Sequence, residues 1–172
     1  MDNLISQVIA VTSVTPAYWE RLTQTVPGEL LSRPPAPGEW SAVECLQHII
    51  DIEAVLNFRL QAFLAGQDFP AFNPDQEGTQ SAAAPAPADL AQKFAGLRNA
   101  SLEKLARLTP ADLDRTARHA ELGPVTLRQM LNEWAAHDLD HTIQAQEALI
   151  QPFLQACGPW QIYFQSHVLA NK

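Results

Sequence analysis

Residues Thr126–Gln151 read TLRQMLNEWAAHDLDHTIQAQEALIQ, and this stretch decides the fold. It contains no proline. Alternating intervals of three and four residues separate Leu127, Met130, Trp134, His137, His141, Gln144 and Ala148. That spacing is typical of the inner face of a helix packed in a bundle. The stretch therefore predicts a long helix that begins near Thr126.

Thirteen prolines divide the rest of the chain and leave two further long proline-free runs, Gly38–Phe69 and Ala88–Thr109. Each run is long enough for a full-length helix, and a proline inside a helix costs about 3 kcal/mol. Pro16 predicts a kink or two consecutive helices in an earlier helical region. Almost no stretch shows the alternation of a strand. The sequence therefore predicts an all-α protein, a four-helix bundle.

The second bundle helix has clear end signals. Ser41 and Glu44 form an S-x-x-E capping box, and Gly66 is a stop signal, so we expect a helix from about Ala42 to Ala65.

The 172 residues are expected to form one domain, residues 1–172, with the bundle in about 1–151. The C-terminal extension, residues 152–172, is predicted to add a helical segment or to cover a partner subunit. Residues 67–87 are polar and rich in alanine and proline, which indicates a connector loop or a lid.

Composition excludes some function classes. Eleven basic and 19 acidic residues give a net charge of −8, which argues against a nucleic-acid partner. Two cysteines cannot form a disulfide framework, and a reduced compartment is the simpler interpretation. There is no basic signal region near Met1 and no apolar run of 18 residues, so we expect a cytoplasmic protein without a membrane span.

Histidines occupy two inner positions of the last helix. His137 and His141 are one turn apart, so they lie about 40° apart around the helix and about 6 Å apart along its axis. Both rings can therefore meet at one metal ion. His48, on the inward stripe of the second helix, is the natural third ligand. The alternative is that these are hydrogen-bonded or exposed histidines that bind nothing. His119 and His167 are expected to be exposed.

Two blocks of sequence resemble the DinB/YfiT-like superfamily. Pro37–Glu44, PGEWSAVE, followed by His48, resembles the opening of that family's second helix. His137–Gln144, HDLDHTIQ, resembles its H-x-x-x-H-x-x-Q motif. The resemblance covers roughly residues 1–151. It implies a DinB-like four-helix bundle, often a homodimer, that holds a divalent metal through His48, His137 and His141.

Three neutral imidazoles leave a metal ion fully charged and with an open position, which is typical of catalytic sites and favours a hydroxide or a thiolate. Zinc and nickel come first, and iron and manganese also accept imidazole. Some members of the resembled family are thiol-dependent S-transferases and others are described as metal-dependent hydrolases. The leading hypothesis is an S-transferase that joins a low-molecular-weight thiol to a small electrophile. The alternatives are a small-molecule hydrolase and a non-catalytic metal-binding or stress-response protein.

Four further side chains are candidates for supporting roles. Asp51 and Asp140 could orient an imidazole, or they could be solvated carboxylates. Glu133, one turn before His137, could act as a base or an extra ligand. Arg59 could bind a substrate carboxylate, or it could be an ordinary surface arginine.

Overall fold

A computed structural model describes residues 3–73 and 85–167 and shows a helical bundle. The first helical region divides at Pro16 into two helices, as expected. The helices are α1 Leu4–Thr12, α2 Thr15–Thr25, α3 Gly28–Leu31, α4 Ala42–Ala65, α5 Pro87–Leu105 and α6 Leu127–Ala156. The predicted all-α fold class is confirmed.

The bundle has four members because α1 and α2 together act as one broken helix. Helix α4 packs against both α5 and α6, while α2 lies on α5 and α1 lies on α6. Two apolar clusters fill the interior. One is built around Phe63 and Trp134, and the other around Trp19 and Phe94. These four aromatic side chains are at most 1% exposed.

Capping residues set the ends of the two helices that matter most for the site. The capping box of Ser41 and Glu44 begins α4, and Gly66 ends it with a φ of 66°. Thr126 and Gln129 form a second capping box at the start of α6. Because both starts are fixed by side-chain hydrogen bonds to the backbone, the residue at which each helix begins is fixed.

Helix α6 is longer than the prolines suggested. It continues through Pro152 to Ala156 rather than ending near Gln151. Pro152 lies close to the C-terminal end, where little helix remains to be disrupted. The extension then forms a 3-10 helix, Gly158–His167, that packs on α6. Residues 168–172 of the predicted extension lie outside the described residues.

A small sheet was not predicted. Strands β1, Thr116–His119, and β2, Gly123–Thr126, pair as an antiparallel hairpin between a 3-10 helix, Pro110–Asp114, and α6. Strands of four residues are too short to show a convincing alternation in the sequence.

The chain that follows α4 is attached to this hairpin. Phe69 forms a parallel bridge to His119, and the Arg118 amide donates to the Asp68 carboxylate over 3.0 Å. The start of the predicted loop 67–87 is therefore a docked segment. Residues 74–84 of that loop lie outside the described residues.

Within residues 3–73 and 85–167, none of the helices combines the length and the apolar character that a membrane span requires.

One buried cation joins all four members of the bundle. Arg98 of α5 is 1% exposed and donates to the carboxylates of Glu53 on α4 and Asp138 on α6, with shortest distances of 2.9 and 2.7 Å. It also donates to the Thr12 carbonyl over 2.9 Å and to the Thr15 hydroxyl over 3.1 Å. Burial acts to lower the pKa of Arg98, but the hydrogen bonds to Asp138 and Glu53 outweigh it and raise the pKa. The guanidinium therefore stays charged.

Replacing this cation should cost much of the protein's stability. Arg98→Met leaves two carboxylates buried without a counter-charge, and we expect the free energy of unfolding to fall by about 3–5 kcal/mol. Urea unfolding followed by circular dichroism measures the change. Lys93→Met, an exposed substitution on the same helix, is the matched control and should change little.

Adding Glu53→Gln and Asp138→Asn to Arg98→Met should restore part of the loss, because both buried charges are then removed. A loss no larger than that of Lys93→Met would contradict the role given to Arg98.

Candidate metal centre

Three histidines converge in the groove between α4 and α6. His48 comes from α4, and His137 and His141 come from α6. One ring nitrogen from each lies within 4.8 Å of the other two. The Nε2 atoms of His48 and His137 are 3.1 Å apart. In residues 3–73 and 85–167, no other group of three or more histidine, cysteine or acidic side chains meets in this way.

The rotation of α6 places the histidines at the edge of its buried face. The centre of that face is formed by Leu131, Trp134, Asp138 and Ala145, which are at most 1% exposed. His137 is only partly buried, as is His141. The spacing predicted inner positions for both histidines, and the structure places them at the edge of the buried face. Their edge position leaves them open to the outside of the bundle.

A glutamine fixes the hydrogen of one ring. The His141 Nδ1 atom lies 2.7 Å from the Oε1 atom of Gln144, one turn further along α6. An amide oxygen only accepts, so Nδ1 carries the hydrogen and Nε2 keeps its lone pair. Gln144 therefore leaves the Nε2 lone pair of His141 available to a metal, an orientation that is common among metal-binding histidines.

Trp40 covers one side of the three rings. Its ring centroid lies 4.8 Å from that of His48 and 5.7 Å from that of His141, with the latter pair stacked at 23°. Trp40 directly precedes the Ser41 cap, so the hydrogen bonds that start α4 also hold this indole in place.

The site keeps His137 neutral. Burial, followed by the nearby rings of His141 and His48, lowers the pKa of His137 to about 3. Arg98 and Arg59 act in the same direction. A metal ligand must be a neutral imidazole, and this ring is already neutral at physiological pH.

The donor set fits a divalent transition metal. Imidazole nitrogens bind zinc at 2.0–2.1 Å, so two ligands of one tetrahedral ion lie about 3.4 Å apart. The 3.1 Å separation of the His48 and His137 nitrogens is close to this value. Since His141 also presents Nε2, all three rings could ligate one ion.

A pocket of about 500 Å³ opens beside His141 and Trp40. The carboxyl groups of Glu39, Asp140 and Glu147 line it. The pocket is open at one side, so a small molecule could reach the histidines from solvent. Its acidic lining favours the approach of neutral or cationic groups.

Some of the other candidate side chains lie away from the histidines. Asp51 accepts a hydrogen bond from Gln47 over 3.1 Å and is not part of the histidine group or the pocket lining. Glu133 lines a second cavity together with Arg59. Burial, assisted by Glu44, raises the pKa of the Cys45 thiol to about 12, which disfavours the thiolate a metal would need.

One histidine lies elsewhere than expected. His119 was predicted to be exposed, but it is only 7% exposed, because Phe69 packs edge-on against its ring at 5.5 Å. The error follows from the unpredicted hairpin, which carries His119 inward. His167 is exposed as predicted.

The sequence matches a known protein family. The family described as the DinB superfamily matches residues 12–145. The chain belongs to the DinB superfamily. No curated protein matches this sequence.

Two solved structures from Bacillus subtilis resemble this DinB-superfamily chain. YfiT, described as a probable metal-dependent hydrolase with an unusual four-helix bundle topology, has a TM-score of 0.76 and 18% identity. That match covers 86% of this chain and 87% of YfiT. The DinB-like protein YjoA has a TM-score of 0.57 and 20% identity, covering 83% of this chain and 90% of YjoA. At these identities, the likeness shows a common fold.

The role of Gln144 can be measured directly on metal-free protein. The ring ¹⁵N signals of His141 should show hydrogen on Nδ1, and Gln144→Leu should shift the ring toward the Nε2–H form, because Nδ1–H then lacks its acceptor. Long-range ¹H–¹⁵N NMR spectra distinguish the two tautomers. Gln155→Leu, an exposed substitution on the same helix, should leave the His141 signals unchanged. Identical His141 spectra in wild type and Gln144→Leu would contradict the assignment.

Proposed function

We propose that this DinB-superfamily protein is a metal-dependent enzyme that acts on small molecules, with His48, His137 and His141 as the ligands of one divalent ion. The observation that carries the proposal is the convergence of three imidazole nitrogens within 4.8 Å at the edge of an open pocket. A structural zinc site usually has four protein ligands, whereas three ligands beside a pocket are typical of catalysis.

A divalent ion held there would act as a Lewis acid that lowers the pKa of a coordinated water or thiol. Zinc and nickel remain the first candidates, with iron and manganese also compatible with imidazole ligands.

Residues of the chain itself supply the other requirements. Asp140 lies in the pocket beside His141 and could accept the proton of an incoming nucleophile. Gln144 holds the His141 ring in the tautomer that presents Nε2. Trp40 shields the His48 and His141 rings from one side. The geometry thus provides binding, orientation and a proton acceptor within one pocket.

The leading reaction is transfer of a low-molecular-weight thiol to a small electrophile. An ion with three neutral ligands keeps its full charge, and this supports thiol activation because a thiolate is a strong, soft ligand. Asp140 would take the thiol proton as the sulfur–carbon bond forms and the leaving group departs from the electrophile.

Hydrolysis of a small molecule is the second candidate. The open pocket and its three carboxylates support it, because a base beside the metal centre could equally accept a proton from water. In a third alternative, the protein binds metal without catalysis, as a sensor or stress-response protein.

Assembly as a homodimer in the cytoplasm belongs to the same proposal. The 3-10 helix Gly158–His167 supports it, since Trp160, Ile162 and Tyr163 are 66–74% exposed there. Exposed apolar side chains in one segment favour a subunit contact.

Metal content tests the core of the proposal. Untagged wild-type protein should bind one divalent ion per chain, and His137→Ala or His141→Ala should weaken binding by at least 100-fold, because two neutral ligands remain. Metal analysis after dialysis and calorimetric titration measure this. His167→Ala is the matched control, since His167 is exposed and outside the group, and it should bind like wild type. Wild-type protein without stoichiometric metal affinity would overturn the proposed function.

Turnover distinguishes the two reactions. Metal-loaded protein is assayed with bacillithiol, mycothiol, glutathione and coenzyme A against an aryl halide, and with ester and amide substrates without thiol. Thiol-dependent product supports transfer, whereas thiol-independent cleavage supports hydrolysis. Asp140→Asn should lower kcat by about 10²–10⁴-fold at unchanged metal content. Asp89→Asn, an exposed position on α5, is the control. Absence of turnover in both assays would leave the non-catalytic alternative.

A further inference from the structure

A second cavity of about 160 Å³ lies between α4, α6 and the hairpin. Its walls are mainly apolar, formed by Phe69, Leu122, Val125 and Met130. Four polar side chains, Arg59, His119, Gln129 and Glu133, also line it, and the Arg59 guanidinium lies within 3.3 Å of the His119 ring. The proposed function does not use this cavity.

The hydrogen bonds around His119 determine where its ring hydrogen lies. The backbone amides of Glu121 and Leu122 both donate to Nδ1, over 3.1 and 3.3 Å. Nδ1 is therefore an acceptor without a hydrogen. Burial, followed by the charge of Arg59, lowers the pKa of His119, so the ring is neutral. A neutral imidazole has one N–H, and here it must be on Nε2.

This tautomer places two donors next to each other. The Arg59 guanidinium nitrogen lies 3.3 Å from His119 Nε2. A guanidinium has no acceptor, and Nε2–H is also a donor, so the two groups cannot satisfy each other. The opposite tautomer would accept from Arg59 but would point its N–H at two fixed backbone N–H groups.

A second donor of Arg59, the Nε atom, is also buried and unpaired among the described residues. The guanidinium carbon lies 5.5 Å from the centre of the Phe69 ring, which holds the side chain in place but accepts no hydrogen bond. Unsatisfied buried donors are costly, so this pair of donors favours an acceptor that both side chains can reach.

Glu133 is the carboxyl group that lines the cavity beside Arg59. Its pKa is raised by burial and lowered in part by Arg59. In the described part of the chain no ion pair joins Glu133 to Arg59. The guanidinium therefore has no carboxylate bound directly to it.

We propose that Arg59 and His119 form a subsite for the carboxylate of a small ligand with an apolar body. Both donors would bind the two oxygens of one carboxylate, and the apolar walls would contact the rest of the molecule. The charge also fits, because an anion would neutralise a partly buried guanidinium.

The link to catalysis rests on the proposed function. Glu133, on the cavity wall, lies one helical turn before His137 on α6. A substrate with its carboxylate here could extend along the α4–α6 groove toward the histidines. Binding of the carboxylate needs no metal, so it can be tested separately.

The test is an NMR titration of metal-free, full-length protein with benzoate, benzamide and inorganic phosphate. Long-range ¹H–¹⁵N spectra should show His119 with hydrogen on Nε2 before any addition. Benzoate should give saturable shifts of the His119 ring, and neutral benzamide should bind at least 10-fold more weakly. Arg59→Met should weaken benzoate binding at least 10-fold, and Arg59→Lys should weaken it less.

Arg118→Met is the matched control, since Arg118 is exposed on the same hairpin, and it should bind benzoate like wild type. An Nδ1–H tautomer of His119, equal affinity for benzoate and benzamide, or equal behaviour of Arg59→Met and Arg118→Met would each overturn the subsite. Phosphate binding as tightly as benzoate would overturn its preference for carboxylates. Circular dichroism confirms the fold of each variant, and the wild-type metal content tests the proposed function independently of these results.

Discussion

The fold depends on a single buried guanidinium that is shared between two carboxylates. Arg98 connects Glu53 of α4 to Asp138 of α6 and reaches the junction of α1 and α2. Because these buried ions lie between the two apolar clusters and need their partners, each helix can satisfy them in only one rotation. Asp138 must point inward, and its neighbour His137, about 100° further round the helix, then faces the α4–α6 groove. The candidate metal centre is thus oriented by a polar contact on the adjacent residue.

Helix bounds and the histidine group could be predicted from the sequence, because their signals lie within a few residues of each feature or follow a helical spacing. The α4 bounds follow from a capping box and a glycine, and the histidine group follows from a one-turn spacing and a third histidine on the facing helix. Signals that depend on distant partners were missed. Asp138 resembles a solvated helix carboxylate until Arg98, 40 residues earlier, is placed beside it. His119 resembles an exposed residue until Phe69 covers it, and this contact exists only because a short hairpin forms.

The electrostatic character of the molecule is uneven in a way that the net charge of −8 conceals. Carboxylates surround the pocket at His141, while a guanidinium and a neutral histidine end the apolar cavity beside the hairpin. Two of the three histidines, His137 and His141, lie on α6, which borders both spaces. A molecule with a neutral or cationic end and a carboxylate end would meet favourable charge in both spaces: carboxylates in the pocket at His141, and a guanidinium in the cavity beside the hairpin.

The position of Trp40 has a spectroscopic consequence. Of the four tryptophans, Trp19 and Trp134 are buried in the two apolar clusters and Trp160 is exposed in the C-terminal 3-10 helix. Trp40 alone among them stacks on the histidine group. Its emission should therefore change when an ion occupies the centre. An ion with a partly filled d shell would quench the emission, whereas zinc, with a filled shell, would mainly change the polarity around the indole. Tryptophan fluorescence would therefore distinguish zinc from an ion with a partly filled d shell at this centre.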